Sequence, residues 1–401
     1  MTPIYLDYNA TTPVDPAVAD VIASALRNLW GNPSSSHEYG KAAHAAVETA
    51  RGQVADLIGA KPNEIVFTGG GSEASNLAIK GVCQRPLTPL VWRRFWSSLF
   101  ATSRSPDQVH VVTSAVEHPA TVGPVEFLRR QGAVVTVLKV DRHGLIDPDA
   151  VRRAVRLTFR QFTLVTLMHS NNEIGTLMPI REVGELKRRY RFVFHTDCAQ
   201  SIGKVPVDVN ALNVDLLTIA GHKLYAPKGV GALYVRGGVE LEPLIHGAGH
   251  EGGRRAGTEN TPYLVGLGKA AELCREALPA AGDRLVSLRD RLHQRLRDKL
   301  GDRITLNGHP TLRLPNTLNV NFAGQIGPKL LERVPRIAAS VGAACHEPKP
   351  GQLEVTPSAV LCAMRVPPEV SRGAVRLTVG RWTTEAEVDE AAELLAKAAS
   401  S

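Results

Sequence analysis

The feature that most constrains this chain is a repeated alternation of short apolar runs with helix-like segments. Apolar runs of strand length lie at 65–67, 109–113, 133–138, 163–168, 192–196, 214–220 and 230–235, and helix-like stretches separate most of them. Helical patterns also cover 16–29 and 40–58. This rhythm predicts a mainly parallel sheet covered by helices on both faces. After about residue 261 it gives way to two long helix-like stretches, short strands near 317–322, 336–340 and 374–379, and a terminal helix from about 384. The expected architecture is α/β. A large domain covers 16–261, and 1–15 with 262–401 form a smaller α+β domain. Residues 85–107 stand apart as an insertion in the large domain, with two of the four tryptophans beside Arg93 and Arg94.

Composition removes several function classes. No run of about 18 apolar residues is present, so no membrane span is expected. The opening residues, MTPIYLDYNATTP, read as a strand and a polar turn, so no secretory signal is expected either. The net charge of +8 is spread over helix-like segments such as Arg152-Arg153 and Lys187-Arg188-Arg189. Nucleic acid, which needs a clustered basic face, is therefore not an expected partner. Five cysteines in a long chain argue against a disulfide framework and for a reducing, cytoplasmic location. No CxxC or HExxH spacing occurs, and no metal site is expected.

In open α/β sheets ligands bind beyond the carboxyl ends of the strands, so the polar residues after each apolar run are the candidates. The run 214–220 delivers Gly221-His222-Lys223, and 230–235 follows across a Pro/Gly-rich connector. Enclosure between two strands disfavours an ammonium ion and makes the Lys223 amine a usable nucleophile toward a carbonyl. That suits the Schiff-base lysine of a pyridoxal phosphate enzyme. An isolated strand-end lysine more often points at water, so the neighbouring motifs decide.

Those motifs supply the other parts of such a site. Run 65–67 leads into Thr68-Gly69-Gly70-Gly71-Ser72-Glu73 at the start of a helix, where free N–H groups and the helix dipole favour a phosphate. Run 192–196 leads into Asp197, Cys198, Ala199 and Gln200. Asp197 is either a helix cap or the carboxylate that keeps a pyridine nitrogen protonated. His118, after 109–113, is placed to stack on the ring or handle protons, unless it is surface decoration. Asn171 and Asn172, after 163–168, suit a ring oxygen and a substrate carboxylate, or ordinary turn chemistry. Cys345 lies in the small-residue turn SVGAACHEP and is a candidate reactive thiol. Cys83, Cys274 and Cys362 fall in helical patterns and read as core fillers, and Cys198 as a packing residue. Arg376 interrupts an apolar strand. Buried there it needs a carboxylate, which an amino-acid substrate would supply.

Together these residues resemble a family nearly end to end: the cysteine desulfurases and selenocysteine lyases, in the class V aminotransferase group of fold-type-I pyridoxal phosphate enzymes. The matching segments include LDYNATTP, GNPSSSHEYG, TGGGSEASN, VEHPATV, NNEIG, HTDCAQSIGK, GHKLYAPKGVGALY, RAGTENTP, LPNTLNV and RLTVGRWTTEAEVD. The resemblance implies that Lys223 carries the cofactor, Asp197 pairs with its ring nitrogen, Gln200 reaches its ring oxygen and His118 stacks on it. Gly71, Ser72 and His222 would hold the phosphate, with Thr258 reaching the phosphate of a partner subunit in a homodimer. Asn172 and Arg376 would grip the substrate carboxylate, and Cys345 would take the sulfur or selenium, or protonate it as it leaves. Ala220 departs from the pattern, since many desulfurases have a serine there; the lost hydrogen bond costs about 1 kcal/mol.

The loop SVGAACHE, HTDCAQ and the 85–107 insertion lean toward the selenocysteine lyases. The expected reaction is removal of selenium from selenocysteine, giving alanine and selenide, with sulfur removal from cysteine onto Cys345 as a further activity. The alternative is a cysteine desulfurase supplying sulfur to an acceptor protein. A more distant one is a non-catalytic scaffold that binds partners through the tryptophan insertion.

Overall fold

The structure, a computed structural model, describes residues 2–84, 109–157, 162–341 and 358–400. The expected insertion at 85–107 and the loop that carries Cys345 lie outside the described residues.

After a short first strand, β1 (Ile4–Tyr5), the apolar runs form the strands β2 (Ile65–Thr68), β3 (Val109–Ser114), β4 (Val134–Leu138), β5 (Phe162–Met168), β6 (Val193–Asp197), β7 (Leu216–Ala220) and β8 (Gly231–Val235). They make one seven-stranded sheet in the order β2-β8-β7-β6-β5-β3-β4. Strands β3 to β7 pair in parallel, and their central members are buried along almost their whole length. That burial explains why they read as continuous apolar runs rather than alternating ones. Strand β8 runs antiparallel to both β7 and β2. The connector 221–230 is too short for the helical crossover that a parallel return needs.

Both faces of the sheet are covered. One carries a core that includes Phe194, Leu217, Ile219 and Tyr234, and the other a core with Val66, Leu77, Val111, Leu164 and Leu233. Helix α1 (Pro16–Asn28) starts at a proline behind the Asp15 cap, and α2 (Glu38–Leu57) follows it. Helix α3 (Gly71–Gln84) follows β2, and α4 (Pro119–Arg130) follows β3. A separate core gathers β10 (Thr317–Phe322), β12 (Ala374–Thr378) and the C-terminal helix Glu385–Ser400. There β12, β10 and the short β9 (Ile304–Leu306) form an antiparallel sheet, while β1 pairs in parallel with β11 (Ile337–Ala338).

Two expectations need correction. Cys362, expected to fill a core, is exposed on the short helix Ala359–Ala363. The two helix-like stretches after 261 are a single helix, Thr261–Leu300, with Pro279 inside it, because packing carries it past the proline. Leu264, Leu267 and Cys274 are buried in the first core, and Leu285, Leu288, Leu292 and Leu296 in the other. Among the described residues no helix is long and apolar enough to cross a membrane.

The carboxyl edge of the sheet is tied together by Glu117. Its Oε1 accepts from Ser114 Oγ at 2.6 Å, at the end of β3, and from the Met168 N–H at 3.1 Å, at the end of β5. Its Oε2 is buried without a partner. Burial pushes this carboxyl up to about 8, against the pull of those two bonds, and nearby Asp197 adds to the rise. The folded protein therefore keeps a proton that the unfolded chain releases near pH 4.5, so the associated stability is complete below that pH and is lost as pH rises toward 8. Replacing the acid by its neutral isostere, Glu117→Gln, should make the variant gain on the wild type as pH is raised from 5 to 8, as read from urea midpoints. A gap that stays constant over this range would contradict a buried neutral acid.

Candidate active site

Nine of the residues singled out in the sequence line one cavity of about 590 Å³: Gly71, Ser72, His118, Asn172, Asp197, Gln200, His222, Lys223 and Arg376. They come from the carboxyl ends of β2, β3, β5, β6 and β7 and, for Arg376, from β12. The topology explains the meeting, because parallel strands deliver the residues that follow them to the same edge.

The wall at the start of α3 depends on glycine. A Cβ on Gly71 would stand 3.0 Å from Ala220 Cβ, so the helix start reaches the end of β7 only without a side chain. Gly70 has φ of 144°, a conformation that residues with a Cβ rarely adopt. Gly71 and Ser72 thus open the helix at the cavity, with the unpaired N–H groups of its first turn. His222 stands nearby, its Nδ1 3.2 Å from Thr11 Oγ1. Burial first, then the charges of Lys223 and Lys228, bring it down to about 4, so its ring is neutral at physiological pH.

Asp197 ends β6 and is buried. Its Oδ1 accepts from the Ala199 N–H at 2.9 Å. Burial raises its pKa, while the Ala199 bond, His118 and Lys223 pull it down. A protonated ring nitrogen beside it would favour its charged form further. His118 caps α4, and its Nδ1 accepts from the Ala120 N–H at 3.1 Å. In the neutral ring the proton therefore sits on Nε2.

Lys223 closes the tight turn after β7. Its Nζ donates to the backbone carbonyls of Asn9 and, at 2.7 Å, Ala10. The Gln200 amide donates from Nε2 to the same Asn9 carbonyl at 2.9 Å, while its Oε1 accepts from Lys204 Nζ at 2.7 Å. The Asn172 carbonyl accepts from Asn9 Nδ2 at 3.2 Å and from Arg376 Nη1 at 3.1 Å.

Arg376 is buried, as its place in a strand implies, but the chain itself supplies a carboxylate. Asp7 Oδ1 lies 2.7 Å from Arg376 Nη2. The reason is the N-terminal segment, which lies along β12 with Asp7 bridged to Thr378. Arg376 lines the cavity, and its Nε is buried without a hydrogen-bond partner among the described residues.

Thr258 is exposed and does not line the cavity. It follows a segment anchored by Glu251, whose carboxylate meets Arg51 at 2.7 and 3.0 Å and takes the Phe67 N–H at 2.9 Å. Cys345 lies outside the described residues. Asn9, Ala10 and Thr11 line the cavity without having been singled out. Backbone carbonyls carry no sequence signal, although the polar turn after the first strand obeys the same strand-end rule.

The residues present fit pyridoxal phosphate. They offer a lysine amine, a buried carboxyl, a glycine-lined helix start and a neutral histidine facing one space of suitable size.

Comparison with known proteins agrees. The family model for aminotransferase class-V matches residues 4–89 and 97–391. The cysteine desulfurase IscS of Dictyoglomus turgidum is 41% identical over 394 residues, covering 98% of this chain and 93% of the relative. Among solved structures, a NifS-like protein superposes with a TM-score of 0.84 at 31% identity, covering 99% of both chains. SspA, solved in complex with cysteine, superposes with a TM-score of 0.75 at 34% identity, covering 95% of this chain and 99% of that one. The chain therefore belongs to the aminotransferase class-V family, within its pyridoxal phosphate enzymes of the fold-type-I architecture.

Proposed function

We propose that this protein is a cysteine desulfurase, removing sulfur from L-cysteine and leaving L-alanine and a persulfide on Cys345. The observation that carries the chemistry is the buried Asp197 carboxyl at the same cavity as the Lys223 amine. Support for cysteine as substrate comes from relatives named cysteine desulfurases and from the structure of SspA with cysteine. The preference for selenocysteine expected from the SVGAACHE loop rests on residues outside those described.

Pyridoxal phosphate, when bound, supplies the electron sink that lets bonds at the α and β carbons of an amino acid break. Asp197 would hold the proton on its ring nitrogen. Gly71, Ser72 and His222 would hold its phosphate, with His222 donating as a neutral ring. Lys223 would hold the cofactor through its amine, and the same amine is placed to move a proton from the substrate α carbon. Arg376, with Asn172, orients the substrate carboxylate. Cys345 attacks the substrate sulfur: the carbon–sulfur bond breaks, a sulfur–sulfur bond forms, and the carbon takes up protons to become alanine. Under this reading a second copy contributes through Thr258, and an acceptor protein draws sulfur from Cys345. The sparse cysteines favour a cytoplasmic setting.

Lys223→Ala should abolish turnover and also the visible absorption of a lysine-linked cofactor; a surviving band would remove Lys223 from this role. Cys345→Ala should lower kcat on cysteine by about 10³-fold or more, as loss of a covalent nucleophile does. The same variant should keep part of its turnover of selenocysteine, because a selenol is acidic enough to leave without an enzyme thiol. Equal loss on both substrates, measured side by side as kcat/KM, would show that Cys345 is not the sulfur acceptor.

A further inference from the structure

Behind the cavity lies a lysine that the chemistry above does not use. Lys204 is buried, one helical turn beyond Gln200 in the chain. Its Nζ stands 2.7 Å from Gln200 Oε1 and 3.2 Å from Asn9 Oδ1. Among the described residues no carboxylate pairs with it. Burial, with the charges of Lys223 and Arg376, holds its pKa well below the ordinary lysine range. Its amine donates to those two side-chain oxygens.

A lysine N–H donates, so the atoms facing it must be oxygens. This fixes an orientation that is otherwise ambiguous for an amide. Gln200 must turn Oε1 to Lys204 and Nε2 to the far side, where it donates to the Asn9 carbonyl at 2.9 Å. That carbonyl also receives Lys223 Nζ. Asn9 is held from its other side as well, since its Oδ1 accepts from Asn316 Nδ2 at 3.0 Å and its Nδ2 donates to Thr317 Oγ1 at 2.9 Å. Lys204, Gln200 and Asn9 therefore form a closed ring of hydrogen bonds, with the Lys223 amine resting on one member. Turned the other way, Gln200 would set a carbonyl oxygen beside Lys223 and repel any anionic oxygen brought there.

We propose that Lys204 is a positioning residue for cofactor binding: it locks the Gln200 amide with its N–H side toward Lys223, ready to donate to the anionic ring oxygen of pyridoxal phosphate. Lys204 touches neither cofactor nor substrate and acts only through Gln200 and Asn9. The inference rests on pyridoxal phosphate as the cofactor and is independent of which amino acid is the substrate. A wild-type protein that bound no pyridoxal phosphate would fail the cofactor reading before Lys204 was tested.

The test uses purified full-length protein and two readouts besides activity: the dissociation constant of pyridoxal phosphate and the position of its visible band. Lys204→Met should weaken cofactor affinity about tenfold, the lower end of what losing an outer-layer partner costs, and should shift the band. In a Gln200→Ala background the same substitution should cost no more than about a third of that factor, because the group it orients is gone. Lys204→Gln keeps one donor and should show an intermediate loss of about threefold. If Lys204→Met does not fold, Lys204→Gln carries the test. Affinity within twofold of wild type with an unshifted band, in whichever variant folds and whatever its thermal midpoint, would overturn the proposal. So would an undiminished tenfold loss in the Gln200→Ala background.

Discussion

Asn9 is the point on which the site and the smaller sheet both depend. Its N–H donates to Thr378 Oγ1 at 3.1 Å on β12, and its side-chain amide reaches Thr317 of β10 and the Asn172 carbonyl after β5. Its carbonyl receives Lys223 and Gln200, and its Oδ1 receives Lys204 and Asn316. Every polar atom of one buried residue is thus used, and the partners come from the large sheet, the small sheet and the loops between them. Buried polar networks are favourable only when every member is satisfied, and this one leaves little freedom in where Lys223 can stand.

Around that point burial moves the pKa of three titratable groups toward the neutral form. Glu117 is pushed up to about 8, while His222 is brought down to about 4 and Lys204 well below the lysine range. The cavity is lined by Lys223, Lys228 and Arg376 as well as Asp197 and Glu73, so a cofactor with an anionic phosphate and a cationic ring nitrogen would meet charges of both signs.

The sequence reading succeeded where chemistry follows a strand. Gly71, His118, Asn172, Asp197 and Lys223 each come just after a continuous apolar run, and a parallel sheet has to bring such residues to one edge. It was weakest where the deciding contact is remote in sequence. Nothing near Arg376 announces Asp7 as its partner, and nothing near Lys204 announces Asn9, because those pairings arise from the N-terminal segment lying along β12. The helix Thr261–Leu300 read as two stretches because the packing that joins its halves is not local in sequence. Strand β9, three residues long, is too short to show a pattern.

That long helix has a mechanical consequence. At about 1.5 Å per residue, a helix of 40 residues is a rod of roughly 60 Å, one end embedded in each core. Pro279 has no N–H to offer the Arg275 carbonyl, so a rung of the ladder is missing between Cys274, the last residue in the first core, and Leu285, the first in the second. The axle joining the two bodies is therefore most compliant at the joint itself. Small rocking of one core against the other bends the rod there without breaking any hydrogen bond that it has.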